Sequence, residues 1–262
     1  MQNSSTSTPS ARSPIAWPRE SFRVSLTAVV AIGAILIVFG AGVGAIAIAL
    51  GTGAVSLADL QHRPPRLSAN FQLWSQLALY IPITVYLLVV IRPVSALPFS
   101  ALGFRRPSLR DIGVGVAGAA LMWIVIAVSS TAIEALTHRH DTEAAIELIK
   151  QIHTPVQRLL FILIAAVMAP LVEEFAFRVF LFNGFRRHSG FWVAAFSSGL
   201  LFGLAHAQGA SQVATVSVPL MFGGVVLAWV YETTRCYWSS ALTHALFNGV
   251  SVAAVFGFGV KP

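Results

Sequence analysis

Three polar pairs interrupt the hydrophobic stretches of this chain at helical spacing, and together they have the makings of a water-activating site. The first is Glu173-Glu174 with Arg178, inside the apolar run from Leu159 to Phe182; the second is Phe202 with His206; the third is His244 with Asn248. Residues four apart share a helix face, whereas neighbours point about 100° apart, so Glu173 and Glu174 cannot do the same job. Glu174 is expected to pair with Arg178, which limits the cost of burying both charges. Glu173 is then the carboxylate left to face a cavity. A carboxylate and an imidazole at one place suit water activation and proton delivery to a leaving group. A second imidazole with a carboxamide can donate hydrogen bonds to a developing oxyanion. Such a set suffices for peptide-bond hydrolysis without a nucleophilic Ser or Cys.

These residues work together only if the helices carrying them pack around one centre, and the composition says what kind of helices they are. The 262 residues are 56% hydrophobic and only 10% charged, with a mean hydropathy of +0.76. That is a polytopic membrane protein, since soluble domains carry about 25% charged residues. An ionised carboxylate near the bilayer centre costs at least ~2.5–3.5 kcal/mol, so two adjacent ones mark a function. Apolar stretches long enough to cross the bilayer are expected near 25–50, 71–91, 112–136, 156–184, 191–208, 213–231 and 238–259, the fifth being the shortest. The fold class is therefore all-α, a bundle of about seven transmembrane helices. Pro170, one turn before the carboxylates, is expected to loosen the backbone there.

Charge sets the expected orientation. Arg12, Arg19, Arg23, Arg92, Arg105, Arg106, Arg110, Arg186, Arg187 and Arg235 fall on one side of the alternating spans; Arg63, Arg66, Arg139, Lys150, Arg158 and Lys261 fall on the other. Ten basic residues against six place the N-terminus inside. The net charge of +7 is accounted for by this bias, so nucleic acid is not an expected partner. Arginine outnumbers lysine heavily, and with abundant Ala, Val and Gly this composition suggests a GC-rich bacterial genome and a bacterial plasma membrane. The expected organisation is a disordered cytoplasmic tail over 1–22, N-terminal transmembrane helices over 23–154, a core over 155–255 and a short end over 256–262. The first span far exceeds a 7–15-residue signal core and is read as retained. Residues 139–153 are expected to form a short amphipathic helix at the outer surface. Cys236 stands alone, so no disulfide framework exists. Trp74, Trp192, Trp229 and Trp238 are expected interfacial anchors.

Counting along the expected spans puts Glu173 roughly 17–20 Å from the inner surface, His206 near ~22 Å and His244 only ~9–10 Å deep. The last value sits awkwardly with a shared site. Two other readings compete with hydrolysis. A proton-coupled transporter or channel would use Glu173 and His206 as a relay, but would string ionisable groups along a full crossing path, and apart from Glu134 none lies outside the three motifs. Polar residues can also simply glue helices together, as in a catalytically silent immunity or scaffold protein.

Glu173-Glu174-x-x-x-Arg178, Phe202-x-x-x-His206 and His244-x-x-x-Asn248, in that order on separate hydrophobic helices, resemble the three motifs of the CPBP family. This is the CAAX protease and bacteriocin-processing family of intramembrane proteases, which includes the type II CAAX prenyl endopeptidases. The resemblance covers about residues 155–255. It implies a glutamate-dependent intramembrane (metallo)endopeptidase acting on a membrane-embedded or membrane-tethered peptide or protein. By that resemblance Glu173 and His206 would activate water, His244 and Asn248 would stabilise the oxyanion, and Glu174, Arg178 and Phe202 would support the site. The family is commonly labelled metalloprotease, yet no His-Glu-x-x-His run occurs here. No cofactor is required by the sequence; zinc, if bound, would fall to Glu173, His206 and His244.

Overall fold

The computed structural model describes residues 44–258 except 54, 62–66, 96, 140, 142–143 and 208, together with residues 33 and 42. The expected tail over 1–22 and most of the expected first span lie outside the described residues; residues 44–51 are helical. Every regular element among the described residues is a helix. In chain order they are α1 (Leu57–Gln61), α2 (Ala69–Ser95), α3 (Leu109–Thr137), α4 (Ala144–Lys150), α5 (Pro155–His188), α6 (Phe191–Ala205), α7 (Ala210–Thr234) and α8 (Tyr237–Phe258). Helices α2, α3, α5, α7 and α8 are long and apolar enough to cross a membrane. With 15 residues, α6 reaches only about 22 Å, short of the ~30 Å hydrocarbon core. Five spanning helices are therefore described where the hydropathy pattern predicts seven.

Local chemistry sets where the helices begin. Ser108 and Asp111 form a capping box at the start of α3, and Thr154 and Gln157 form another at the start of α5, with Pro155 in the first turn. Helix α5 is one continuous rod of 34 residues whose regularity breaks twice, at the wide π turns Ile164–Met168 and Phe175–Phe182. Helix α7 carries a third at Val213–Ser217. Two of the three turns stand two residues before a proline, Pro170 or Pro219. The proline ring has no N–H and collides with the preceding turn, and widening that turn by one residue relieves the clash.

Close packing follows from small residues. Helix α7 runs against α6 and α3, and α3 also lies along α8. A Cβ at Gly203 would strike the Ser217 carbonyl oxygen, and one at Gly224 would come within 2.8 Å of Gly199 Cα, so α6 and α7 approach backbone to backbone. Three buried apolar clusters result. One gathers Leu87, Leu102, Phe175, Phe182 and Tyr231; another Leu73, Leu148, Phe161 and Val252; the third Met122, Phe202, Leu220 and Leu227.

The two ends of the bundle differ. At one end Arg186 and Arg235 both meet Glu232, at 3.2 and 2.8 Å, while Arg105 pairs with Asp111 at 2.7 Å and donates to the Thr234 carbonyl. At the other, Gln151 and Gln157 meet Gln72 and Asn70 at the start of α2, and Asp141 accepts from Thr215 at the start of α7. The amphipathic segment expected over 139–153 is helical over 144–150, with Leu148 and Ile149 buried against Leu73. Outward faces stay apolar, as at Ile81, Val85, Val89, Ile124 and Val128, which suits contact with lipid rather than water.

Candidate active site

The three polar pairs meet. Glu173 on α5, His206 at the end of α6 and His244 on α8 converge, with Glu173 Oε2 3.7 Å from His206 Nε2 and 3.9 Å from His244 Nε2. The depth mismatch read from the sequence disappears because α8 starts alongside α5, short of its C-terminal end. Its first residue, Tyr237, already donates to the Leu171 carbonyl at 2.6 Å. Leu171 stands seventeen residues, about 25 Å, before the end of α5, so the last turn of α5 and the first turn of α8 are not level.

The hydrogen bonds on the far side of each ring fix what it shows to Glu173. His206 Nδ1 lies 2.8 Å from the Phe202 carbonyl, which can only accept, so Nδ1 carries the proton. His244 Nδ1 is 3.1 Å from Glu174 Oε1, and the same reasoning applies. In their neutral forms both rings therefore present the Nε2 lone pair toward Glu173 Oε2. That oxygen is buried and has no hydrogen-bond partner. Three acceptors around one point attract a hydrogen-bond donor, and a water molecule supplies two.

Glu174 points about 100° around the helix from Glu173 and meets the other nitrogen of the His244 ring. Its Oε2 lies 3.0 Å from Arg178 Nε, with both side chains fully buried. The contact is one of charge rather than an aligned N–H···O bond, since neither atom satisfies hydrogen-bond geometry. The guanidinium also lies over the Phe202 ring, 5.1 Å from its centre. Glu174 thus does more than pair with Arg178: it links the guanidinium to His244. Phe202 packs on both imidazoles, at 4.7 Å from the ring of His206 and 5.6 Å from that of His244. Two carboxylates against one guanidinium leave a net negative charge when the imidazoles are neutral, which favours approach of a cation.

Asn248 lies one turn beyond His244 and its amide is partly committed. Nδ2 donates to the Ala165 carbonyl at 2.8 Å. In the π turn the Ala169 N–H reaches back to Ile164, so the Ala165 carbonyl would need its partner from residue 170, a proline. Asn248 supplies the missing donor and leaves its second N–H for other use. One further residue joins the site without any signal in the motif spacing: Tyr80 on α2, whose hydroxyl lies 3.4 Å from Glu173 Oε1. Tyrosine is common in apolar helices, so only the tertiary contact singles it out.

A metal ion would need these donors closer together. Tetrahedral zinc with bonds near ~2.0 Å separates its ligand atoms by roughly 3.3 Å. The 3.7 and 3.9 Å separations are wider, and among the described residues no group of three or more His, Cys, Asp or Glu side chains is gathered tightly enough to hold an ion. The arrangement does not fit a metal as it stands.

Residues 155–250 match the family model described as Rce1-like, type II CAAX prenyl endopeptidase. Over 108 residues the chain is 23% identical to the protein named "Putative membrane peptidase YdiL" of Bacillus subtilis (strain 168), covering 41% of this chain. The match spans 40% of that relative's own length. No solved structure matches the chain. The apolar spans and this relative make the chain an integral membrane protein, and its residues 155–250 resemble the Rce1-like family.

Proposed function

We propose that the chain is an intramembrane endopeptidase that hydrolyses a peptide bond with water activated by Glu173 and His206. The observation that carries the reading is Glu173 Oε2 standing 3.7 Å from the His206 nitrogen that can accept from the same water and 3.9 Å from His244 Nε2. The description of residues 155–250 as endopeptidase-like and the printed name of the Bacillus subtilis relative support proteolysis.

The chemistry balances without a covalent intermediate. With His244 in its imidazolium form, a water bound between Glu173 Oε2 and His206 Nε2 gives a proton to Glu173 as its oxygen bonds the scissile carbonyl carbon. The carbonyl oxygen becomes an oxyanion. His244, protonated and backed by Glu174, donates Nε2–H to it, and Asn248 adds the amide N–H that Ala165 leaves free. Glu173 then passes its proton to the leaving nitrogen and the C–N bond breaks. Glu174, Arg178 and Phe202 hold His244 and His206 in place. The substrate is a membrane-embedded or membrane-tethered peptide or protein, and processing of leader peptides or membrane proteins suits a bacterial plasma membrane better than prenylated substrates do. Seven spans with the N-terminus inside fit the basic-residue bias and the clustering of Arg105, Arg186 and Arg235 at one end of the bundle.

The test is cleavage of a membrane-tethered peptide library by purified wild type and Glu173→Gln. General-base loss should lower turnover about 10²–10⁴-fold while the variant keeps its melting temperature in detergent. Equal cleavage by both proteins, or none by either, refutes the reading.

A further inference from the structure

Helix α2 lies outside the Rce1-like segment, yet among the described residues it contributes the hydrogen bond on the other oxygen of the central carboxylate. We infer that Tyr80 is a positioning residue that holds Glu173 Oε1, so that Oε2 alone is aimed at the two histidines. The inference rests on the proposed role of Glu173 as the base.

The two oxygens of a carboxylate are chemically equivalent and exchange by rotation about the last side-chain bond, so a base that must keep one oxygen on a water needs something on the other. Glu173 Oε1 has the Tyr80 hydroxyl at 3.4 Å, while Oε2 faces His206 and His244. The separation is long for O–H···O, as contacts to reacting groups often are before substrate tightens the site. Tyr80 is directed by its helix: the next residue, Ile81, is 62% exposed on the lipid side, whereas Tyr80 packs beside the cluster of Leu73, Phe161 and Ile164. Phenylalanine would fill that space equally well. What the hydroxyl adds is a donor, and among the described residues Glu173 is its hydrogen-bond partner. The backbone around it is also secured, since Thr84 Oγ1 donates to the Tyr80 carbonyl at 2.7 Å, two residues beyond a Pro82 that cannot bond the preceding turn.

The test compares wild type, Tyr80→Phe, Glu173→Gln and the double variant on one membrane-tethered peptide that wild type cleaves. Tyr80→Phe is expected to lower kcat roughly tenfold, the loss that goes with one hydrogen bond to a charged group, with KM within about twofold. In the Glu173→Gln background the same change should lower the residual rate no further, because there is no carboxylate left to hold. Wild-type kcat in Tyr80→Phe, or the same fold loss in both backgrounds, overturns the inference. A second readout needs no activity. The carboxyl infrared band of Glu173, assigned from the wild type minus Glu173→Gln difference spectrum, should move in Tyr80→Phe, and an unmoved band overturns the inference. Failure of the protease reading shows differently, as wild type and Glu173→Gln behaving alike on every peptide.

Discussion

Glu173 and Glu174 are adjacent in sequence and opposite in circumstance. Glu173 faces two imidazoles and a phenol with one oxygen lacking a hydrogen bond, whereas Glu174 is locked between Arg178 and His244. The consequences of removing their charges should differ accordingly. Glu174→Gln leaves the fully buried Arg178 guanidinium without its counter-charge, and breaking such a pair costs about 3–5 kcal/mol. Unfolding in denaturant should therefore show Glu174→Gln strongly destabilised, while Glu173→Gln stays near wild type in stability and loses turnover. A Glu174→Gln protein as stable as wild type would mean the pair carries no weight. The asymmetry was half legible beforehand: the four-residue spacing marks Glu174 and Arg178 as partners, but nothing in the spacing points from Glu174 to His244, seventy residues on.

At the scale of elements, the π turn before Pro170 is the device that aims the carboxylates. It inserts one residue into α5, which rotates everything beyond it by about 100° relative to an unbroken α-helix. Its cost is a carbonyl at Ala165 that lacks a helical donor, and Asn248 offsets that cost from across the bundle. Replacing Pro170 with Ala restores an N–H and lets α5 revert to a regular helix. Stability should rise, by up to about 3 kcal/mol, and cleavage should fall at least tenfold because Glu173 turns away from the histidines. Thermal unfolding and turnover measured on the same preparation check both halves. A second element-scale expectation concerns the short helix α6. Gly203→Ala pushes a Cβ into the Ser217 carbonyl, forces α6 and α7 apart and should cost about 1–3 kcal/mol, measured as a lowered unfolding midpoint. Pro170 and Gly203 are visible in the sequence as a breaker and a small residue; that one widens a turn and the other admits a backbone is visible only in three dimensions.

For the whole molecule, the arrangement of charges makes a topological prediction. Arg105, Arg186 and Arg235 gather at one end, and Gln151 with the first turn of α5 at Gln157 lies at the other. With the N-terminus inside, a cysteine placed at exposed His188 in a Cys236→Ser background should react with a membrane-impermeant maleimide only after the cells are opened. One at exposed His153 should react in intact cells. The opposite pattern would invert the proposed orientation.

Read alone, the amino-acid order determined the membrane environment, the helical class and the identity of the polar residues that meet at the site. Those properties are local: hydropathy over twenty residues, a repeat of four, a proline, a glycine. The tertiary structure decided what depends on distant parts of the chain. It brought α8 in beside the middle of α5 and so set His244 level with Glu173; it gave α6 only fifteen residues; and it turned Tyr80 of α2 onto the carboxylate. Relative depth and rotation of helices come from how side chains interlock and from one-residue π insertions, and neither leaves a periodic trace in the sequence.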